Sequence, residues 1–323
     1  MNELSYSILR LLNVKNIGNS KAFKLIQNLK NKGVSLVDLI KAIDNNESFG
    51  SIKESLNEEI YNALKSNKNS IDKYIEILKS KNIKIVNRFD ENYPAKLIKR
   101  LEDKTPLILF ALGNYDLIND TSVGFCGSRD ASQKGLEAIE AIIGSISDRL
   151  VYTSGYAKGV DIKVHKESLE KGFKTIIVLP EGILNFKVKK EIKNIFNWDN
   201  ILVLSEFMPD SKWSVANAMQ RNSIIVALSN VMILIEAKEY GGSFNAGQKA
   251  LELGVPLYIP KYDNSNSDHI KGNIILAKKG AKSFYKSKST NEPKLEGLFN
   301  DLKAPKDISN YSLPVIEQKS LFN

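Results

Sequence analysis

The chain of 323 residues holds one cysteine, Cys126, and two histidines, His165 and His269. One cysteine excludes an internal disulfide framework, and two histidines leave a zinc cage short of ligands. Apolar runs are brief: none reaches the roughly 18–20 residues that span a membrane, and the first residues lack a signal-peptide pattern. A cytoplasmic protein without metal, cofactor or membrane contact is therefore expected. Arginine is scarce, with six among the 46 basic residues, so an arginine inside a motif is informative. Acid is also in deficit. The 37 acidic residues leave a net charge of +9, which favours polyanionic partners. The excess is spread as +4 over residues 1–120, +4 over 121–282 and +1 over 283–323, so any basic patch is assembled by folding. Lysine- and asparagine-rich usage of this kind also arises from an AT-rich genome.

What is present falls into three segments. Residues 1–80 carry apolar side chains at three- and four-residue spacing, as in Ile8, Leu11, Leu12 and Ile71, Tyr74, Ile75, Leu78, and are expected to be helical throughout. Within them, Val14 to Ala22 is similar to half of a helix-hairpin-helix element, with Asn16 where the hairpin's first glycine stands. Asparagine tolerates the left-handed conformation there. A plain helix-turn-helix packing unit accounts for the same residues. Residues 83–115 switch to strand character. Domain boundaries are expected at 1–80 (helical), 81–286 (Rossmann-like) and 287–323 (a polar, flexible tail with Pro293, Pro305 and Pro314).

From Ser122 to about Phe284 the pattern alternates. Strands are expected at 122–126, 150–153, 174–179, 201–204, 231–236 and 255–259. Helices are expected between them at 133–148, 160–171, 186–196, 215–228 and 243–253. Alternation of this kind describes an α/β fold with an extended Rossmann-like parallel sheet behind an all-helical N-terminal domain. The strands stop at small residues: Gly127, Ser128 and Arg129 after the first, Ser154 and Gly155 after the second. Glycine lets backbone approach a ligand, and helix N-termini offer N–H groups to an anion. Serine, arginine and lysine at these turns, without a carboxylate cluster, point to phosphate and so to nucleic acid or nucleotide.

These stations resemble the DprA/Smf family of DNA-processing proteins. The matching residues are Tyr93, Pro94, Leu97, Pro106 and Leu107; the Gly127-Ser128-Arg129 turn; Ser154, Gly155, Ala157, Gly159, Asp161 and His165; and Val178, Leu179 and Gly182. They continue through Ser205, Glu206, Arg221, Asn222, Glu236, Gly242, Ser243, Gly272, Asn273 and Gly280. The chain departs from the family at Tyr156 (a glycine there), at Ala218-Met219 (Phe-Pro), at Ser223 (arginine), at Gly241 (serine) and at Lys261 (glycine). The resemblance implies a homodimeric single-stranded DNA-binding protein that delivers the strand to a RecA-type recombinase, typically in natural transformation. It implies no catalysis. The residues agree, since no nucleophile stands beside a histidine and no acid–base pair is spaced for hydrolysis.

Candidate phosphate-binding residues are Gly127, Ser128, Arg129, Ser154, Gly155, Lys158, Lys187, Lys189, Lys190, Arg221, Asn222, Gly242 and Ser243. Plainer roles compete at each. Ser128 and Arg129 also make a turn with a surface cation, the Lys187–Lys190 run a solvated helix face, and Arg221 with Asn222 a helix cap. Asp161 and His165, spaced i, i+4, are expected to fix a helix by local hydrogen bonding, and Glu206 and Glu236 to pair with a nearby cation. A second function compatible with the fold is a nucleotide sensor or a phosphoribohydrolase-like enzyme. Such enzymes carry a Pro-Gly-Gly-x-Gly-Thr run followed by glutamate, which Ala237 to Ser243 lacks. Finally, Gln318, Ser320, Leu321 and Phe322 resemble the Gln-x-Ser/Asp-Leu-Phe peptide that docks on the bacterial sliding clamp: two apolar side chains for a pocket and an amide for a polar subsite.

Overall fold

A computed structural model describes residues 1–45, 56, 58–146, 149–262, 268–287, 289–290 and 292–303. The chain divides into two compact units, one of residues 1–73 and 85–109, the other of residues 74–84 and 110–304.

The first unit is built on helices α1 (Glu3–Leu12), α2 (Asn19–Asn31), α3 (Leu36–Asp44) and α4 (Glu58–Ser66), with the first half of α5 (Lys68–Ser80). Asn2 caps α1 by accepting from Ser5 N at 2.8 Å, and Ser35 caps α3. Between α1 and α2, Asn16 takes the left-handed conformation at φ 63°, while Gly18 is extended at φ −94°. The asparagine supplies the turn that the hairpin motif assigns to glycine. At the centre lies Arg10, fully buried, bonded to Asn67 Oδ1 at 2.6 Å, to both Asp44 oxygens at 3.1 and 3.2 Å, to Tyr6 Oη at 3.1 Å and to the Leu64 carbonyl. Residues 83–115, read from sequence as a segment of strand character, contain a helix as well. Strand β1 (Lys84–Asn87) is followed by α6 (Ala95–Leu101), which Pro94 opens, and then by β2 (Ile108–Gly113). Tyr93 donates to the Pro106 carbonyl at 2.7 Å and Thr105 to the Leu97 carbonyl at 3.1 Å, so the Tyr-Pro and Pro-Leu stations fold onto one another.

The second unit carries the alternation. Its strands are β3 (Ser122–Cys126), β4 (Val151–Ser154), β5 (Lys174–Val178), β6 (Ile201–Ser205), β7 (Val231–Leu234), β8 (Leu257–Pro260) and β9 (Lys282–Phe284). The sheet order is β1-β2-β6-β5-β4-β3-β7-β8-β9. Strands β6 through β9 in that order run parallel and β2 lies antiparallel to β6. Strands β3, β4, β6 and β7 are buried along their whole length, which is why they read as unbroken apolar runs instead of alternating ones. Helices α7 (Gln133–Ser145) and α8 (Val160–Glu170) pack Ile139, Ile142, Val160 and Val164 against Val123, Phe125 and Tyr152. Gly124 points the other way. A Cβ there would lie 2.1 Å from Ser229 Oγ, so glycine admits the end of helix α9 (Val215–Leu228). Helices α10 (Gly242–Glu252) and α11 (Lys271–Lys278) complete the alternation.

Two expected elements differ. No α-helix spans 186–196; residues 186–189 run as an irregular loop, followed by turns and a single 3-10 turn at Lys193–Ile195. Within the expected tail, Glu296–Lys303 forms helix α12. Its Leu298, with Leu295, is buried against Tyr258 and Phe284, and Asp301 accepts from Tyr258 Oη at 2.6 Å. Gln318, Ser320, Leu321 and Phe322 lie outside the described residues. Among the described residues no helix is long and apolar enough to cross a membrane.

Candidate nucleic-acid interface

The parallel order runs outward from β3 to β6 on one side and to β7 on the other, so the chain reverses direction across the sheet between β3 and β7. Crevices at strand carboxyl ends beside such a reversal are where α/β sheets take ligands. A pocket of about 600 Å³ opens there, walled by the turns after β3, β4, β5 and β6. Five of its lining side chains are basic (Arg129, Lys158, Lys187, Lys189, Arg221) and one is acidic, Glu181.

Glycine sets the packing behind the pocket. A Cβ on Gly127 would lie 2.5 Å from Val160 Cγ2, and one on Gly159 would lie 2.5 Å from the carbonyl oxygens of both Ser128 and Arg129. Gly159 also stands at φ 79°, ψ −125°, a conformation open to glycine alone. It opens α8 and lets the Ser128–Arg129 backbone seat on it, with Val160 N donating to Ser128 O at 3.2 Å. Ser128 Oγ accepts from Asp130 N at 3.1 Å and holds the turn. Arg129 is exposed, its guanidinium 5.5 Å from the centre of the Trp213 ring. Lys158 is also exposed and bonded to Asp130 at 2.7 Å.

Arg221 is neither a surface contact nor a cap. It is 5% exposed, donates through Nη1 to the Val178 carbonyl at 2.8 Å and lies 3.9 Å from Asp161 Oδ2. Its Nε is sealed from solvent with no hydrogen-bond partner among the described residues. Burial pulls its pKa down, and the Asp161 charge opposes the shift. Gly155 creates the space: a Cβ there would fall 1.7 Å from Arg221 Nη1 and 2.3 Å from Asp161 Oδ2. Ser154, fully buried, turns its hydroxyl to Asp161 Oδ1 and Phe125 O, both at 2.9 Å, so it organises the carboxylate behind the pocket.

Tyr156 fixes the basic loop. Its hydroxyl donates to Lys187 O at 3.2 Å and accepts from Lys189 N at 2.9 Å, while Lys189 Nζ reaches the Tyr156 carbonyl at 2.5 Å. Lys189 is thus half-buried, and burial lowers its pKa; Lys187 and Lys190 remain exposed. Asn222 donates to the Gly242 carbonyl at 3.1 Å, joining α9 to the start of α10. Gly241 at φ 101° leads into that helix, whose first turn has no side-chain cap. Gly127, Ser128, Ser154, Gly155, Lys190, Asn222, Gly242 and Ser243 lie outside the pocket lining.

Both strand-end glutamates have partners other than cations. Glu236 accepts from Ser132 N at 2.9 Å and from the Ser132 hydroxyl, and Gly135 has no Cβ to obstruct it. A carboxylate therefore already occupies the N-terminus of α7, which is not free for a phosphate. Glu206 accepts from Gln220 at 2.8 Å, and burial pushes its pKa up to about 7, against that hydrogen bond.

Asp161 and His165 tie α8 to the strands instead of to each other. Asp161 accepts from Ala157 N at 3.2 Å. His165 is fully buried, with Nε2 2.6 Å from Gly155 O and Nδ1 2.7 Å from Thr175 Oγ1. A carbonyl only accepts, so Nε2 carries the proton. Burial, the largest cause, holds its pKa at about 4 against 6.5 for a free imidazole. The unfolded chain then binds a proton between pH 6.5 and 4 that the folded chain does not. Stability is expected to fall as pH falls through that window, by up to about 3 kcal/mol. Urea midpoints at pH 7 and pH 5 check this, and His165→Asn should remove most of the difference.

The family profile described as DNA recombination-mediator protein A matches residues 84–293. The chain belongs to that family. DNA processing protein DprA of Streptococcus pneumoniae is 35% identical over 167 residues, 51% of this chain and 58% of that one. DprA of Bacillus subtilis is 27% identical over 191 residues, 58% of this chain and 64% of that one. The match thus spans about three-fifths of each relative's length. The X-ray structure of the Streptococcus pneumoniae protein superposes with a TM-score of 0.69 at 27% identity, covering 86% of this chain and 94% of that one. A Helicobacter pylori DprA structure, whose subject is its single-stranded DNA binding mode, superposes at 0.53 with 27% identity, covering 62% and 90%. Sequence reasoning named the basic residues of the pocket but missed Trp213 and the anchoring part of Tyr156. Tyr156 stood out only as a bulky residue where glycine was expected, and Trp213 as a large ring in the polar run from Pro209 to Ser214.

Proposed function

We propose that the chain binds single-stranded DNA without reading its sequence, along the crevice at the strand ends, and hands the strand to a RecA-type recombinase. The observation that carries this reading is the pocket itself, with five basic side chains against one acid. Phosphates of a single strand meet Arg129, Lys158, Lys187 and Lys190, which are exposed. Lys189, Arg221, Ser154 and Gly155 shape the wall behind them. The turn Gly127–Ser128 and the start of α10 at Gly242 and Ser243, held by Asn222, extend the path on either side. The polypeptide works as a cytoplasmic homodimer and catalyses no reaction in this reading.

Binding to labelled oligonucleotide across a salt series tests it. Four phosphate contacts predict a log–log slope of about −3, and Lys187→Gln or Lys190→Gln should each reduce it by about 0.7. A flat salt response, or equal affinity for duplex and single strand, rejects the single-strand reading. The same proposal extends to the peptide Gln318, Ser320, Leu321 and Phe322, which suits a sliding clamp. The full chain should retain purified host clamp, and the Leu321→Ala, Phe322→Ala double variant should release it.

A further inference from the structure

A large apolar side chain in a basic pocket needs a reason. Trp213 is 46% exposed and forms part of the pocket wall. The other pocket rings are occupied with one another: Tyr156 and Phe186 lie 5.5 Å apart, and Lys189 Nζ sits 4.5 Å from the Tyr156 centroid. Trp198, nearly as exposed at 41%, has its ring against Phe196 at 4.7 Å. Among the described residues no ring packs on Trp213. Its contact is with the guanidinium of Arg129, 5.5 Å from the indole centre.

The backbone on either side of the ring is held in place. Ser214, the next residue, caps α9 by accepting from Asn217 N at 3.0 Å. Ser211 O accepts from Gly182 N at 2.8 Å and from Asn185 Nδ2 at 2.9 Å, which pins the preceding loop to the turn after β5. A half-exposed indole on an anchored loop beside an exposed arginine is the combination that single-strand binders use: a flat surface for a base and a cation for the adjoining phosphate.

Resting on the single-strand reading above, we propose that Trp213 is the base-stacking platform of this pocket: one unpaired nucleobase lies on the indole while the phosphate beside it meets Arg129. Stacking needs a base but no particular base, so the site adds affinity without adding sequence preference. It also rejects duplex, whose bases are already stacked on one another.

The experiment compares an oligothymidylate with a deoxyribose-phosphate oligomer of the same length that has no bases, using the full chain. Trp198 and Trp213 are its two tryptophans, so Trp198→Phe leaves Trp213 as the sole indole reporter. Oligothymidylate is expected to quench that fluorescence and to bind about tenfold or more tightly than the baseless oligomer. Trp213→Ala is expected to remove that advantage, leaving baseless-oligomer affinity and the salt slope at parent values. Trp213→Phe should recover part of it. If Trp213→Ala binds oligothymidylate as the parent does, or loses both oligomers equally, the stacking proposal is overturned while salt-dependent binding still supports the DNA reading. Binding of neither oligomer by the parent overturns both.

Discussion

Replacing Arg10 with alanine is expected to cost the N-terminal helical unit about 3–5 kcal/mol, the usual result of removing one member of a buried ionic network. The reason is what stays behind. Arg10 is fully enclosed, and its five bonds satisfy Asp44, Asn67, the Tyr6 hydroxyl and the Leu64 carbonyl at once. Truncation leaves the Asp44 carboxylate, 20% exposed, with its partner gone, and strands a helix-end carbonyl beside the cavity. Arg10→Met separates the contributions, because it fills most of the volume but supplies no donor. It should lose nearly as much as alanine. Pairing it with Asp44→Leu should restore a large share, since apolar replacement of both partners removes the unpaired charge. Far-UV ellipticity during urea unfolding reads the helices of both units and the fluorescence of Trp198 and Trp213 reads the second alone, so a transition seen only in ellipticity reports the helical unit. A loss below about 1 kcal/mol for Arg10→Ala shows that the network is not what holds these helices.

Why some of this was legible follows from how local each signal is. Strands β3, β6 and β7 are buried along their whole length, so short apolar runs identify them without knowledge of their neighbours, the first two closed by a glycine or serine and the third by Glu236. Asn16 was legible for the same reason, since its φ of 63° is a property of the residue and its turn. Helix α6 was not. It has only seven residues, and the Tyr93-Pro94 pair reads as extended chain until Pro94 is seen to open a helix. Helix α12 was obscured by its polar surroundings, although Leu295, Leu298 and Leu302 recur at helical spacing.

The misread loop at 186–196 shows the limit more sharply. Its apolar residues, Phe186, Ile192, Ile195 and Phe196, permit a helix. Tyr156, some thirty residues earlier, claims the backbone of Lys187 and Lys189 and so takes groups that a helix needs for itself. Arg221 is a similar case. Its sequence neighbours describe an amphipathic helix, and its burial against Asp161 depends on Gly155, two strands and a helix away in the chain. Cations could be listed from sequence, but not sorted into those that meet solvent and those that brace the wall.

That sorting makes Gly159 the most sensitive position of the interface. Gly159→Ala is expected to lower stability by about 2–5 kcal/mol and, on the proposed single-strand reading, to weaken oligonucleotide binding at least about tenfold. Two causes add. The backbone at φ 79°, ψ −125° excludes a side chain, and a Cβ would press within 2.5 Å of two carbonyl oxygens. Both oxygens belong to backbone, at Ser128 and Arg129, so no rotamer change relieves the contact and the turn itself has to move. Arg129 is expected to shift with it, which disturbs its placement 5.5 Å from the Trp213 ring centre. Gly172→Ala provides the control. Gly172 has a similar φ of 72° but nothing within 4 Å of its added Cβ, so it costs about 1–2 kcal/mol from backbone strain alone and leaves DNA affinity unchanged. Denaturant midpoints and oligonucleotide titration on the two variants separate strain from displacement. Equal DNA affinity for Gly159→Ala and the parent shows that the Ser128–Arg129 turn does not contact the strand.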